Sequence, residues 1–158
     1  MIFQASKDTL VRIITIGTSI LLLSAIVILY ATSGFDMWYA LLLLMAIFFV
    51  AYLYRPLHYN VEQATLSIKR PLNSLDIALS DIKKASLITQ DDLGMAIRLF
   101  ASGGMWGYYG FFYSFKMGKM WWYVTQRQNY VLIQTTDDTQ YLLSPDQPEQ
   151  LLNALNKF

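Results

Sequence analysis

The chain has no cysteine, a single histidine and few charged residues. Without cysteine there are no disulfides, no thiolate metal ligands and no cysteine nucleophile. That absence fits either side of a membrane. One histidine, His58, excludes a histidine-based metal cluster within one chain. Basic and acidic residues number 12 and 11, a net charge of +1, so no overall basic excess points to nucleic acid. Charge is scarcest at the front. Lys7, Asp8, Arg12 and Asp36 are the only charges before Arg55, and residues 13–30 and 37–54 carry none.

What is there instead is apolar length. The hydrophobic fraction of 55% exceeds the globular norm of about 45–50%. Each uncharged run is 18 residues, about 27 Å as a helix at about 1.5 Å per residue. That nearly matches a hydrocarbon core about 30 Å thick. The pattern predicts two transmembrane helices, about 10–30 and 37–55, within a first unit of residues 1–56. A cleaved signal peptide is disfavoured, because the first run exceeds the usual apolar length of about 7–15 residues and a second run follows at once.

The loop between the runs, residues 31–36, is too short to hold a domain, so the helices are expected to be antiparallel neighbours. Lys7 and Arg12 precede the first run, Arg55 follows the second, and the loop has only Asp36. The positive-inside rule then places both termini and everything after Arg55 in the cytoplasm. Tyr30, Trp38 and Tyr39 suit the outer headgroup level, Tyr52 and Tyr54 the inner one. Gly17, Ser24 and Ala31 recur every seven residues and put small side chains on one helix face. Packing within the hairpin is the expected use of that face, and a homo-oligomer contact is the alternative. With no acid or base inside the helices, an ion pathway is not expected.

From residue 57 the pattern turns to short runs of β type. Residues 59–62 and 65–70 read as a hairpin turning at Gln63-Ala64, with Leu66 and Ile68 alternating against Ser67 and Lys69. Further strands are expected at 75–79, 81–89, 95–100, 113–116, 120–126, 130–135 and 140–143. Turns are expected at Asp91-Asp92-Leu93-Gly94, Gln128-Asn129 and Asp137-Asp138. Strands at this spacing point to an antiparallel barrel or sandwich. The end of the chain reads as a helix over 145–157, with Ser144 as N-cap, Pro145 first and Gln147 completing a capping box. Leu151, Leu152, Leu155 and Phe158 form its apolar stripe.

Strands closed by one amphipathic helix suggest a pleckstrin-homology (PH)-like fold. Closer likeness is carried by residues 97–110, Ile-Arg-Leu-Phe-Ala-Ser-Gly-Gly-Met-Trp-Gly-Tyr-Tyr-Gly, by Tyr123 with Thr125, by Tyr130-Val131-Leu132-Ile133 and by Leu143-Ser144-Pro145-Asp146. Over roughly residues 57–158 the chain resembles the bacterial PH domain family, in a membrane-anchored form. Ala101 stands where a glycine is expected. The resemblance implies a PH-like β domain capped by a C-terminal helix, a link to membrane helices, a binding role and no catalysis or cofactor. It makes the membrane the bacterial cell (inner) membrane.

The candidate binding residues are Arg98 and the glycine-aromatic stretch Gly103, Gly104, Met105, Trp106, Gly107, Tyr108, Tyr109 and Gly110. Glycines there permit close backbone approach. Aromatics displayed at a hairpin tip suit a membrane-protein partner or a lipid surface, unless the rings fold back into the core. Phe111 and Phe112 are expected to extend the apolar surface. Arg98 is a candidate for anionic lipid headgroups. Lys83, Lys84, Lys116, Lys119 and Arg127 form a basic rim if the fold gathers them. Asp91-Asp92 and Asp137-Asp138 sit where turns favour aspartate, with no nucleophile or base beside them. The expected function is a membrane-anchored adaptor that binds without catalysis. The alternative is a structural subunit of a larger membrane complex assembled through the hairpin.

Overall fold

The computed structural model describes residues 1–33 and 38–156. A short strand β1 (Ile2–Gln4) precedes helices α1 (Thr9–Ser33) and α2 (Trp38–Tyr54). Strands β2 (His58–Glu62), β3 (Thr65–Lys69) and β4 (Ser74–Ala78) follow. After a 3-10 turn, Leu79–Asp81, come β5 (Ile82–Ile88), the short helix α3 (Gln90–Leu93), β6 (Ala96–Gly103), β7 (Tyr108–Ser114) and β8 (Gly118–Val124). The chain ends with β9 (Tyr130–Thr135), β10 (Gln140–Leu143) and helix α4 (Pro148–Leu155).

α1 is long and apolar enough to cross a membrane: residues 9–32 have a mean hydropathy of 2.4. Its hydroxyls are absorbed by its own backbone. Thr18, Ser24 and Thr32 donate to the carbonyls of Ile14, Leu21 and Ile28 at 2.8–2.9 Å, which lets polar residues sit in an apolar helix. α2 is apolar throughout and has 17 residues, so among the described residues one helix rather than two meets the length for a span. The expected loop at Asp36 lies outside the described residues. The small-residue face is not the packing face of the pair. A Cβ at Gly17 would meet nothing within 4 Å, and Ser24 and Ala31 are exposed.

The β domain is two open sheets, not a closed barrel. One sheet has the order β1-β2-β3-β4, the other β5-β9-β10-β8-β7-β6. The first is antiparallel throughout. The second departs from the expected antiparallel pattern at one place, where β10 runs parallel to β8. The chain reverses after β8 and again after β9, and β10 slots between them, so it returns in the direction of β8. The β2–β3 turn is tight, with Gln63 at φ 47° and Ala64 at φ 64°; two positive φ values match the strand twist of a two-residue hairpin. β1 was not legible as a strand. It pairs Phe3 with Tyr59 and buries Phe3.

Two apolar clusters lie on either face of the larger sheet. Between the sheets, Tyr59, Leu66, Ile68 and Val61 meet Tyr109, Tyr123, Val131 and Ile133, and α4 adds Leu151 and Leu155. On the other face, Tyr108, Phe112, Met120, Trp122 and Leu142 are covered by Leu93 of α3 and Val11 of α1. Burying a side chain of this size contributes about 1.5–3 kcal/mol. α4 starts later than expected. Pro148 takes the first helical position behind Gln147, while Ser144 turns inward and accepts from the Thr125 amide at 2.8 Å. Phe158 of the expected stripe lies outside the described residues.

Candidate functional site

The expected loop is mostly strand. β6 and β7 pair through Ser102–Tyr109 and Gly103–Tyr108, leaving residues 104–107 as the connection. The Gly104 amide donates to the Gly107 carbonyl at 3.0 Å, and Ser102 Oγ donates to the Met105 carbonyl at 2.8 Å. The connection is pressed against α1: a Cβ on Gly104, at φ 121°, would lie 2.5 Å from Ile14 Cδ1. Gly110 meets a similar limit, since a Cβ there would lie 2.7 Å from Ala101 Cα on the neighbouring strand.

Trp106 is the centre of this junction. It holds φ at 63°, a strained value for a bulky residue. Its amide donates to Thr15 Oγ1 of α1 at 2.9 Å. Its ring meets Phe48 and Tyr52 of α2 edge-on, at centroid distances of 5.7 and 5.4 Å. Lys7 Nζ lies 4.9 Å and the Arg55 guanidinium 5.1 Å from the ring centroid, within the range of cation–π attraction. Tyr109 adds a hydrogen bond from its hydroxyl to the Ala51 carbonyl of α2. The start of α1 and the end of α2 therefore meet at one residue of the β domain. Burial pushes the Lys7 pKa down, and the charges of Arg55 and Arg12 push it the same way.

This corrects the expectation of rings displayed on an exposed tip. Tyr108 and Tyr109 are buried and Met105 and Trp106 half-buried: the Trp106 ring packs on α2, the Tyr109 hydroxyl bonds to it, and the Tyr108 and Tyr109 rings enter the two apolar clusters. Phe112 is likewise buried, and it stacks on Trp122 at 4.1 Å.

The candidate residues divide between two faces. Arg98, Gly103 and Tyr108 lie apart from the Trp106 junction and line a cleft of about 260 Å³ with Trp122 and Arg127. The Arg98 side chain lies across Gly103, where a Cβ would collide with its guanidinium. The Arg127 guanidinium sits 4.5 Å from the Tyr108 ring centroid. Tyr108 Oη and Trp122 Nε1 are buried and make no hydrogen bond among the described residues. Burial raises the Tyr108 pKa, against the opposing charge of Arg127.

The basic rim does not gather. Lys83 pairs with Asp138 at 3.4 Å, both exposed, and Lys116 Nζ donates to the Asp91 carbonyl at 2.6 Å. Only Arg127 reaches the cleft. The aspartate pairs do local work. Asp92 closes a capping box with Thr89 at the start of α3, and hydrogen bonds from Thr89 hold its pKa down. Asp137 accepts from Thr135 and Thr139, which lowers its pKa too. Sequence reasoning missed Thr15 and Trp122, and it placed Tyr52 at the inner headgroup level without its contact to Trp106. Thr15 reads as an ordinary helix residue and Trp122 as a strand residue, and nothing local ties any of the three to residues 98–110.

Residues 57–158 match the family described as bacterial PH domain. The chain belongs to that family. No curated protein and no solved structure matches it.

Proposed function

We propose that this member of the bacterial PH domain family is a membrane-anchored binding module without catalytic activity. The observation that carries this reading is the junction at Trp106. α1, the span-length helix, and α2 are both bonded to the β domain there, through Thr15 Oγ1 and the Ala51 carbonyl. The domain is then held against the foot of the helices instead of swinging on a linker. Lys7, Arg12 and Arg55 belong to that foot, and basic residues flanking a span favour the cytoplasmic side. Anchoring confines the domain to a thin layer, so even a weak site for a membrane-resident partner is well occupied. Residues 104–107 serve as the internal collar of this arrangement. Binding of a partner falls to surfaces the collar leaves open.

The absence of cysteine makes a direct test clean. A single Glu62→Cys variant places a thiol on the exposed β2–β3 turn. The chain is expected to stay in the carbonate-washed membrane pellet and to react with a membrane-impermeant maleimide only after permeabilisation. Release into the wash would defeat the anchor, and labelling in intact cells would defeat the cytoplasmic placement.

A second reading is a structural subunit assembled through its helices. What favours it is the open face of α1, where a Cβ at Gly17 would touch nothing within 4 Å. Close approach of another helix at such a face is a known mode of packing in membranes.

A further inference from the structure

We propose that the cleft between β6, β7 and Arg127 is a binding site for a phosphate-class oxyanion, held by Arg98, Arg127, Tyr108 and Trp122. This deepens the reading of the β domain as a binding module and does not depend on the anchor. Four donor side chains converge there. Arg98 makes no hydrogen bond or ion pair among the described residues and lies over Gly103 at the cleft. Arg127 contributes its guanidinium to the cleft without a carboxylate partner. No acidic residue lines it. Asp8, whose charge acts on Tyr108, has both oxygens engaged: they accept from the Val11 and Arg127 amides at 2.7 and 3.3 Å.

The other two donors are unspent. Tyr108 Oη and Trp122 Nε1 are buried with no partner, a state that folded proteins avoid. Burial raises the Tyr108 pKa, so the phenol remains an O–H donor at neutral pH. An oxyanion drawn in by the arginines gives both donors an acceptor as the guanidinium groups turn onto it. Guanidinium forks match phosphate oxygens in pairs, and a tetrahedral ion has an oxygen for each direction of approach. The size agrees. About 260 Å³ lies just under the range of about 300–1,000 Å³ used by drug-sized ligands, which suits one phosphate and part of its substituent. Gly103 belongs to the design, because any side chain there would lift Arg98 off the cleft.

The phosphate has two sources, a soluble ion or ester and a lipid headgroup. The cleft lies close to the foot of α1, whose Val11 is buried in the same cluster as Tyr108 and Trp122. The experiment uses the full chain in phosphatidylcholine nanodiscs. It follows the indole N–H resonance of Trp122, assigned by its loss in Trp122→Phe. Titration with inorganic phosphate at constant ionic strength is expected to shift that resonance saturably, with chloride inert. Arg98→Gln and Arg127→Gln are each expected to weaken binding about tenfold, consistent with loss of one charge-assisted fork. Arg98 and Arg127 are exposed, so these variants keep the fold. If nanodiscs containing phosphatidylglycerol shift the resonance without added phosphate, the source is a headgroup; if only added phosphate does, it is soluble. A resonance unmoved by either, or moved equally by chloride, overturns the site. Anchoring is judged separately by the maleimide experiment.

Discussion

Tyr59 shows how much one side chain can tie together. Its hydroxyl donates to the Tyr123 carbonyl at 2.6 Å and accepts from the Ser144 amide at 3.1 Å. It thereby joins the first sheet to β8 and to the end of β10. Burial pushes its pKa up to about 12, against hydrogen bonds from Ser144 that pull it down. The unfolded phenol loses its proton near pH 10, while the folded one keeps it. The unfolded state therefore binds fewer protons above pH 10, and stability falls as pH rises from about 10 towards 12. The loss at the upper end is about 3 kcal/mol. Urea unfolding of the detergent-solubilised chain at pH 8, 10 and 11, conditions spanning about the phenol range, should show this decline. Tyr59→Phe should make it shallower, leaving the share of Tyr130, whose burial pushes its pKa up to about 12 as well, while costing about 1–3 kcal/mol at pH 7 through the two orphaned backbone groups. An unchanged alkaline limb in that variant would assign the decline to other groups.

At the scale of elements, the β6–β7 connection decides how helices and sheets meet. Gly104 allows α1 to approach, and Trp106 accepts a strained backbone to reach Thr15 and Tyr52. Gly104→Val should disrupt this contact twice, by its Cβ against Ile14 and by a φ of 121° that L residues rarely adopt. The expected result is faster hydrogen exchange at residues 102–109 and a lower melting temperature, with the sheet register intact. Unchanged exchange there would mean that the junction contributes nothing to local order. Gly17→Leu is the contrasting change on the same helix. Nothing lies within 4 Å of that position, so melting should be unchanged. Loss of a co-purifying membrane protein in Gly17→Leu would favour the subunit reading over the module reading, and retention would count against it.

At the scale of the whole molecule, the family match begins at residue 57 but the packed unit begins earlier. Phe3 is 7% exposed in the cluster between the sheets, and Val11 is fully buried in the other one. Phe3, before the helices, and Val11, in the first turn of α1, therefore each share a core with residues after the helices, and most of α1 and α2 is a long excursion between β1 and β2. Phe3→Ala in the whole chain should cost about 3–5 kcal/mol, the usual range for emptying a buried phenylalanine site. It should also leave a single cooperative transition as seen by tryptophan fluorescence and by far-UV signal. Separate transitions would show that β1 is an appendage and not part of the cooperative unit.

The local elements follow from short stretches of the chain. The apolar runs dictate α1 and α2, because an uncharged stretch of that length has no other favourable arrangement. β9 and β10 fall at 130–135 and 140–143 as expected, since alternation and the Asp137-Asp138 turn act over a few residues. The glycine-aromatic stretch carried the family resemblance. Tertiary structure alone decided the rest. β1 has three residues, too few for a period, and its partner lies more than fifty positions away. The parallel placement of β10 depends on which strands flank it. The division of residues 98–110 into a clasp and a cleft follows from strand parity with a bulge between Arg98 and Phe100. One shifted residue sends a side chain to the opposite face, and no local pattern announces that shift. Whether an aromatic ring is displayed or clasped depends on what packs against it. Here Trp106 is clasped by residues about fifty and ninety positions away, Tyr52 and Thr15, which only the folded chain brings to it.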